Sequence, residues 1–427
     1  MPSTRLQLRQ KLGETETGLA VLGTCTATGT TTTIVDTARF LGPFSASTWP
    51  RGTAVRISTI TGGTVTATTD TYIDQYAPAT GILTVSPAIV APVENDTFEV
   101  WSGVGNFPGG GVQLVDKCID LGLTRHCFHL VPIPLTKVTD GDMGDPLYAN
   151  WTASGATVTP SKVSMSFPET LGKRYLRTLH NTTAGAYVYS ATMNAQGGDT
   201  WRLVVNVKAA VGTAVLAVYD VTNSANITLS GDGGSYAGAA WSQLDNTFVI
   251  PSTCKQIRIH LSGTGATDDI YWTNVICYEQ NESMFALPSR IRSENKIGEV
   301  LYRLGDDPNE YSFYPYCVSG RHADIQREAT GIVVRLSSAM GDPVFVETLI
   351  PYEALATDAA TTECDEELAL KAIAFEVYKE LATKGYALPT PQGYLAPSEW
   401  RQKRDEKLRE MQSCQLNAEA QSKAVWR

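Results

Sequence analysis

Thr24-Cys-Thr-Ala-Thr-Gly-Thr-Thr-Thr-Thr-Ile-Val-Asp36 decides the class of fold. Threonine is β-branched, loses rotamer freedom in a helix and packs well on a pleated surface. A run this dense, broken once by Gly29, predicts two strands around a turn. Downstream the same period continues: Ala54 to Ile60, a Gly62-Gly63 turn, Val65 to Thr69, Tyr72 to Tyr76, Ile82 to Val85 and Thr97 to Trp101. Six or seven short strands with regular turn signals predict a small barrel or sandwich over residues 20–105.

The composition agrees. About fifty threonines, nearly half in the first hundred residues, accompany 36 Gly, while only 18% of the 427 residues are charged. The formal net charge of −10 excludes a general nucleic-acid binder, which needs basic surface to neutralise phosphates. No apolar run reaches membrane-spanning length and the first residues lack a signal-like apolar core, so a soluble, unsecreted chain with no membrane partner is expected. The eight cysteines, at 25, 118, 127, 254, 277, 317, 364 and 414, form no Cys-x-x-Cys pair. Buried thiols are the expectation for a reducing cytoplasm; Cys364 and Cys414, in polar helical surroundings, are the ones to watch for oxidation.

Beyond the Thr-rich part the pattern alternates between helical and strand periods. Leu6, Leu8 and Leu12 predict an opening helix within residues 1–19, stopping at Gly13. A Gly109-Gly110-Gly111 linker leads to a second helix over 112–123, within 106–135. Residues 140–282 read as eight charge-poor strands, among them Tyr175 to Leu179, Trp201 to Val207, Ala214 to Tyr219, Gln256 to Leu261 and Ile270 to Tyr278, for which a jelly roll is the expectation. Residues 283–352 are mixed, with strands near 298–304, 331–336 and 344–350. In 353–427, Asp365 opens a helix ending at Gly385, and Ser398 is the expected N-cap of a last, mostly polar helix. The expected class is α+β and β-dominated: a small bundle of four helices with two β insertions, a barrel or sandwich and a jelly roll.

The candidate chemistry is sparse. His126, Cys127 and His129 with Cys118 nearby match no common zinc spacing, and no metal is expected there. Asp140, Asp142 and Asp145 form a weak candidate calcium loop, lacking the closing Glu of an EF-hand. Asp268 and Asp269 are adjacent in a strand and point to opposite faces, so they cannot flank one glycosidic bond. Trp201, Trp241, Trp272, Tyr187 and Tyr189 can stack on sugars or fill a sandwich core, and packing favours the core. With no nucleophile elbow, triad ordering or phosphate loop, the chain is expected to be no enzyme and to need no cofactor.

The opening helix, the run from Thr24 to Asp36, Arg51 to Ile57, Gly81 to Pro87 and Asn95 to Val100 resemble tailed-bacteriophage neck and tail proteins. Glu363 to Gly385 is similar to the helix of head–tail connector adaptors. The middle unit, from Asn150-Trp-Thr through Trp201 to Asp269-Ile-Tyr-Trp272, resembles galactose-binding-like jelly rolls of carbohydrate-binding modules. The first resemblance implies a structural virion protein of the phage neck, made in the host cytoplasm. It would form a ring, twelvefold if matched to the portal, with further neck or tail proteins as partners and genomic DNA passing without specific binding. Its portal-binding arm would comprise Arg401, Lys403, Arg404, Lys407, Arg409, Trp426 and Arg427. The alternative is a carbohydrate-binding tail, collar or baseplate protein touching host glycans through Trp241, Trp272 and Tyr187.

Overall fold

The structure, a computed structural model, describes residues 3–42, 48–49, 51–61, 64–101, 112–145, 148–154, 158–164, 174–180, 185–291, 297–303, 313–316, 321–328, 331–384, 388–390, 393–395 and 397–426. The expected turn at Gly62-Gly63, the Gly109–Gly111 linker, the helix stop at Gly385, Cys317 and Arg427 lie outside them. The class is α+β and β-dominated, with four α-helices among the described residues: α1 (Arg5–Lys11), α2 (Val112–His126), α3 (Glu366–Lys384) and α4 (Pro397–Trp426). Contacts divide the chain into two units, one formed by Met1–His129 with Pro351–Gln421, the other by Leu130–Ile350 with Ser422–Arg427.

In the first unit the first described residues pair with the segment just before α3. Ser3–Thr4 pairs with Thr361–Thr362, and Thr4 caps α1 by accepting from the Gln7 backbone N–H while the Gln7 side chain accepts from Thr4 N–H, a reciprocal capping box. The helix does not stop at Gly13. It continues as a π-helical turn, Leu12–Thr17, and ends at Gly18 with φ 64°, where only glycine enters the left-handed region without strain. Gly13 is glycine for another reason: a Cβ there would lie 2.4 Å from that of Ala20. Leu8, Leu12, Val115, Ile119, Leu123, Leu368, Ile373 and Leu381 share one apolar core. Asp365 caps α3 by accepting from Leu368 N–H at 3.0 Å. Ser398 is not the cap of α4, which begins one residue earlier at Pro397; proline at a first helical position lacks only an N–H that would be unpaired anyway.

The six-stranded sheet of this unit has the order Ala20–Thr24, Thr97–Trp101, Ala54–Thr61, Thr64–Ala77, Ile82–Ser86, Thr33–Val35. The Thr-rich run therefore is not a hairpin: Thr24 ends one edge strand and Thr33–Val35 forms the opposite edge. Between them, threonine hydroxyls bond locally, Thr30 to Thr33 at 2.8 Å and Thr26 to Thr37 at 3.1 Å, the competition with ladder pairing that Ser and Thr offer. The edges come together at one end, where Thr26 N–H donates to Val35 C=O at 2.9 Å.

The second unit is a two-sheet sandwich. The front sheet has the order Val158–Ser164, Arg174–His180, Asp269–Glu279, Thr200–Val211, Ser242–Val249, Ser230–Gly231. The back sheet is built on Ala225–Ile227, Ala214–Asp220, Gln256–Gly263, Tyr187–Ser190 and Trp151–Ala153. Alternate residues, including Trp151, Trp201, Leu203, Val207, Leu216, Ile259, Leu261 and Trp272, fill the space between. Residues 283–350 pack elsewhere: Phe285, Val300, Ile332 and Phe345 share a second core with Val204, Ile276 and Tyr278, which point out of the front sheet. Residues 283–350 thereby cover one half of the front sheet's outer face, and among the described residues the other half carries side chains that stay partly exposed.

Candidate functional site

The other half is where partly buried aromatic and charged side chains gather. In Arg174–His180 the burial alternates, placing Leu176, Thr178 and His180 inside and Tyr175 and Arg177 outside. The neighbouring Asp269–Glu279 strand starts with the same alternation, Ile270 and Trp272 inside, Asp269 and Tyr271 outside. Register then aligns the outward residues, since Arg177 lies opposite Tyr271 and Tyr271 opposite Lys208. Trp241 precedes Ser242, the partner of Val207, and so flanks Lys208 on its far side.

The groups touch. Arg177 grips Asp269 bidentately, both N–H···O distances 2.8 Å, and the Tyr271 hydroxyl donates to the same carboxylate at 3.3 Å. Tyr175 lies 4.7 Å from Tyr271 and 6.0 Å from Trp241, centroid to centroid. The Arg177 and Lys208 cations stand 5.9 and 6.0 Å from the Tyr271 ring centre, a cation–π arrangement on two sides. Hydrogen bonding to Asp269 holds the Arg177 guanidinium above its ordinary pKa. Burial, reinforced by Asp269, raises that of Tyr271. Trp241 is only 8% exposed, so it serves as a buttress under Tyr175.

Beside this platform the strand carries a bulge. Between Thr273 and Ile276 the pairing with Thr200–Val211 slips, and Asn274 has φ 49°. Its buried amide has no hydrogen-bond partner among the described residues at either polar atom, as is true of the Trp241 indole N–H. Orphaned buried polar groups and strained backbone are uncommon and concentrate where ligands bind.

Of the expected glycan contacts, Trp241 is thus at the platform, but Trp272 is fully buried and donates to Thr178 Oγ1 at 3.0 Å. Strand alternation lets only one of Tyr271 and Trp272 face outward, and it is Tyr271. Tyr187 lies on the back sheet, stacked 4.3 Å from the His260 ring, and is not brought to the platform. Sequence reading passed over Tyr175, Arg177, Lys208 and Tyr271, and weighed Asp269 only as half of a carboxylate pair with Asp268; fixing which side of each strand faces inward would have exposed them. Asp268 and Asp269 take different partners, Asp268 accepting from Gly265 N–H at 2.8 Å.

The weak calcium loop already has its cation. Arg290 contacts Asp142 and lies 4.0 Å from Asp140 Oδ1 and 3.5 Å from Asp145 Oδ1, so a guanidinium occupies the place expected for the metal. His126 Nε2 is 2.6 Å from Glu376, the His129 ring lies tilted against Tyr352 with centroids 4.6 Å apart, and Cys118 and Cys127 are buried. No group of three or more His, Cys, Asp or Glu converges as a metal set among the described residues. Their seven cysteines are free thiols; Cys364 is buried and Cys414 half-buried against the helical core.

The expected portal arm is largely folded onto its own unit. Trp400, Leu408, Met411 and Cys414 recur at helical spacing and pack into the helical core, a stripe that the polar composition of α4 concealed. Lys407 is 2.6 Å from Glu16 and 2.9 Å from Glu410; burial opposes its charge, but the two carboxylates outweigh it and raise its pKa. Lys403 stands over the Tyr378 ring at 5.7 Å, and Arg404 pairs with Asp405 at 2.6 Å. Arg401 and Arg409 are exposed. The side chains of Trp426 and Arg427 lie outside the described residues. No helix among the described residues is long and apolar enough to cross a membrane.

No family model matches the chain, and comparison with curated proteins likewise gave no match. Among solved structures, the chain is similar to the enzymatically active domain of bacteriophage CBA120 tailspike protein 4, with 17% identity, TM-score 0.28 and coverage of 34% of this chain and 21% of that one. It is also similar to a CBM4 structure, with 14% identity, TM-score 0.26 and coverage of 34% and 100%. A third likeness is to the C-terminal family 22 carbohydrate-binding module of Clostridium thermocellum Xyn10B, with 17% identity, TM-score 0.27 and coverage of 32% and 91%. This chain spans only about a fifth of the tailspike domain, and each likeness concerns fold over about a third of the chain.

Proposed function

We propose that this protein binds carbohydrate through the partly exposed half of the front sheet of its sandwich. One observation carries the reading: Tyr175 and Tyr271 form a contiguous, partly exposed aromatic platform, buttressed by Trp241 and edged by Arg177, Asp269 and Lys208. A sugar ring offers an apolar C–H face to aromatic rings and hydroxyls at its rim to charged and amide groups, so apolar surface with a few placed polar groups is the complementary shape. The role is binding, not hydrolysis, because Asp269 is committed to Arg177 and Asp268 to backbone N–H groups. The test is binding of the full chain to a panel of plant, bacterial and capsular polysaccharides. Retention that falls at least tenfold in Tyr271→Ala supports the reading; retention by no glycan ends it.

A second reading keeps the protein in a phage neck, as a ring joining portal to tail. What favours it is the helical core that collects α1, α2, α3 and α4 from both chain ends and the middle. Electron microscopy of the purified protein tests it, a ring supporting the adaptor and isolated particles opposing it. Deletion of 398–427 does not test the arm cleanly, because it removes Trp400 and Met411 from that core.

A further inference from the structure

Resting on the carbohydrate-binding reading, we infer that the glycan is acidic and that Lys208 receives a sugar carboxylate over the Tyr271 ring. The charges on the platform are not balanced. Arg177 is committed to Asp269 through two 2.8 Å hydrogen bonds, and together they are neutral. Lys208, the cation on the opposite side of Tyr271, makes no ion pair among the described residues; its one recorded partner is the ring itself, at 6.0 Å. A lysine ammonium is strongly hydrated and carries three donors. Over the Tyr271 ring it has no acceptor among the described residues.

The neighbouring donor is in the same state. The Trp241 indole N–H is buried without an acceptor among the described residues, and its position next to Lys208 adds to the local positive potential. A ligand that suits the face supplies acceptors and one negative charge beside an apolar ring face, as a uronic-acid residue does: its carboxylate meets Lys208 while its ring C–H face lies on Tyr271. The rest of the molecule works against any unspecific polyanion, since the net charge is −10. Preference for an acidic glycan must therefore arise locally, and one side chain can remove it. Charge-assisted hydrogen bonds are roughly twice as strong as neutral ones, enough to separate acidic from neutral forms of one polymer.

The experiment uses the full chain against matched polymers: polygalacturonate, alginate and hyaluronan, each beside its carboxyl-reduced, neutral counterpart. The expected result is at least tenfold tighter binding to one or more acidic forms, with that preference abolished in Lys208→Gln and Lys208→Met, so that each variant binds the acidic and neutral forms of a polymer equally. Equal binding of acidic and neutral forms by the wild-type protein overturns the inference and leaves the carbohydrate reading standing. An acidic preference that survives both Lys208 variants overturns the assignment to Lys208. Binding to neither form overturns both.

Discussion

Arg9 and Glu99 form an ion pair that solvent does not reach: Arg9 Nε lies 2.9 Å from Glu99 Oε2, with the side chains 0% and 1% exposed. Arg9 also donates twice to Asp358 at 2.7 Å and once to Asp116 at 2.9 Å, and the Trp101 indole donates to Glu99 at 2.9 Å. One guanidinium thus ties α1 to the sheet, to α2 and to the segment before α3. Burial disfavours its charge, but Glu99, Asp358 and Asp116 outweigh that and raise its pKa. Asp358 is correspondingly held below the usual carboxylate range: its own burial acts against ionisation, and Arg9 prevails.

Removing the cation while leaving its partners is the costly change. Arg9→Met should destabilise the first unit by about 3–5 kcal/mol, because buried carboxylates then lack a counter-charge. Arg9→Lys should recover only part of that, since one ammonium cannot span three carboxylates. Urea unfolding followed at the first unit's transition measures both; an unchanged midpoint in Arg9→Met would falsify the claim that this network holds the helices to the sheet.

Chelation should leave stability unchanged. With Arg290 among Asp140, Asp142 and Asp145, EDTA or added Ca²⁺ is expected to leave the melting temperature where it was. Arg290→Met should lower the second unit's stability by roughly 3 kcal/mol. A clear rise in melting temperature with Ca²⁺ in the wild-type protein would mean that the loop is a metal site after all.

The back sheet should make the second unit acid-sensitive. The His260 ring is stacked between Tyr187 at 4.3 Å and Tyr219 at 4.7 Å, and burial, then the Arg258 charge, lowers its pKa to about 4. On acidification the unfolded chain takes up this proton first, near the ordinary histidine value of about 6.5. Stability from neutral His260 is therefore complete above that pH and lost as pH falls toward 4, by about 3 kcal/mol at most. His260→Phe keeps the stack and removes the proton, so its stability between pH 6.5 and 4 should fall less steeply. Burial also lowers the His180 pKa, so part of the slope should persist. Identical slopes would show that His260 does not contribute.

These residues also show how far sequence alone reaches. Strand period was legible nearly everywhere, because alternating burial leaves a trace in composition, as in Ala214–Asp220. Pairing was not: the Thr-rich run looks like a hairpin, yet Thr24 ends one edge strand and Thr33–Val35 forms the opposite edge of the same sheet, with threonine hydroxyls bonding locally in the run. Phase was the decisive loss at the site. Asp269-Ile-Tyr-Trp presents two aromatics in succession, and composition cannot say which one the core takes. Arg290 was illegible as the partner of the Asp loop, since the two lie 148 residues apart in the chain. In α4, four apolar contacts spread over fifteen residues were hidden among charges.

The most direct test of the account is glycan affinity of the full chain measured for three single variants, each checked for folding by near-UV circular dichroism. Tyr175→Ala and Tyr271→Ala, on the outer face of the front sheet, are each expected to weaken binding at least tenfold, about 1.4 kcal/mol. Tyr187→Ala, on the back sheet, should leave it unchanged. Binding that is lost with Tyr187→Ala, or that survives both front-face variants, would contradict the assignment of the front face as the carbohydrate-binding surface.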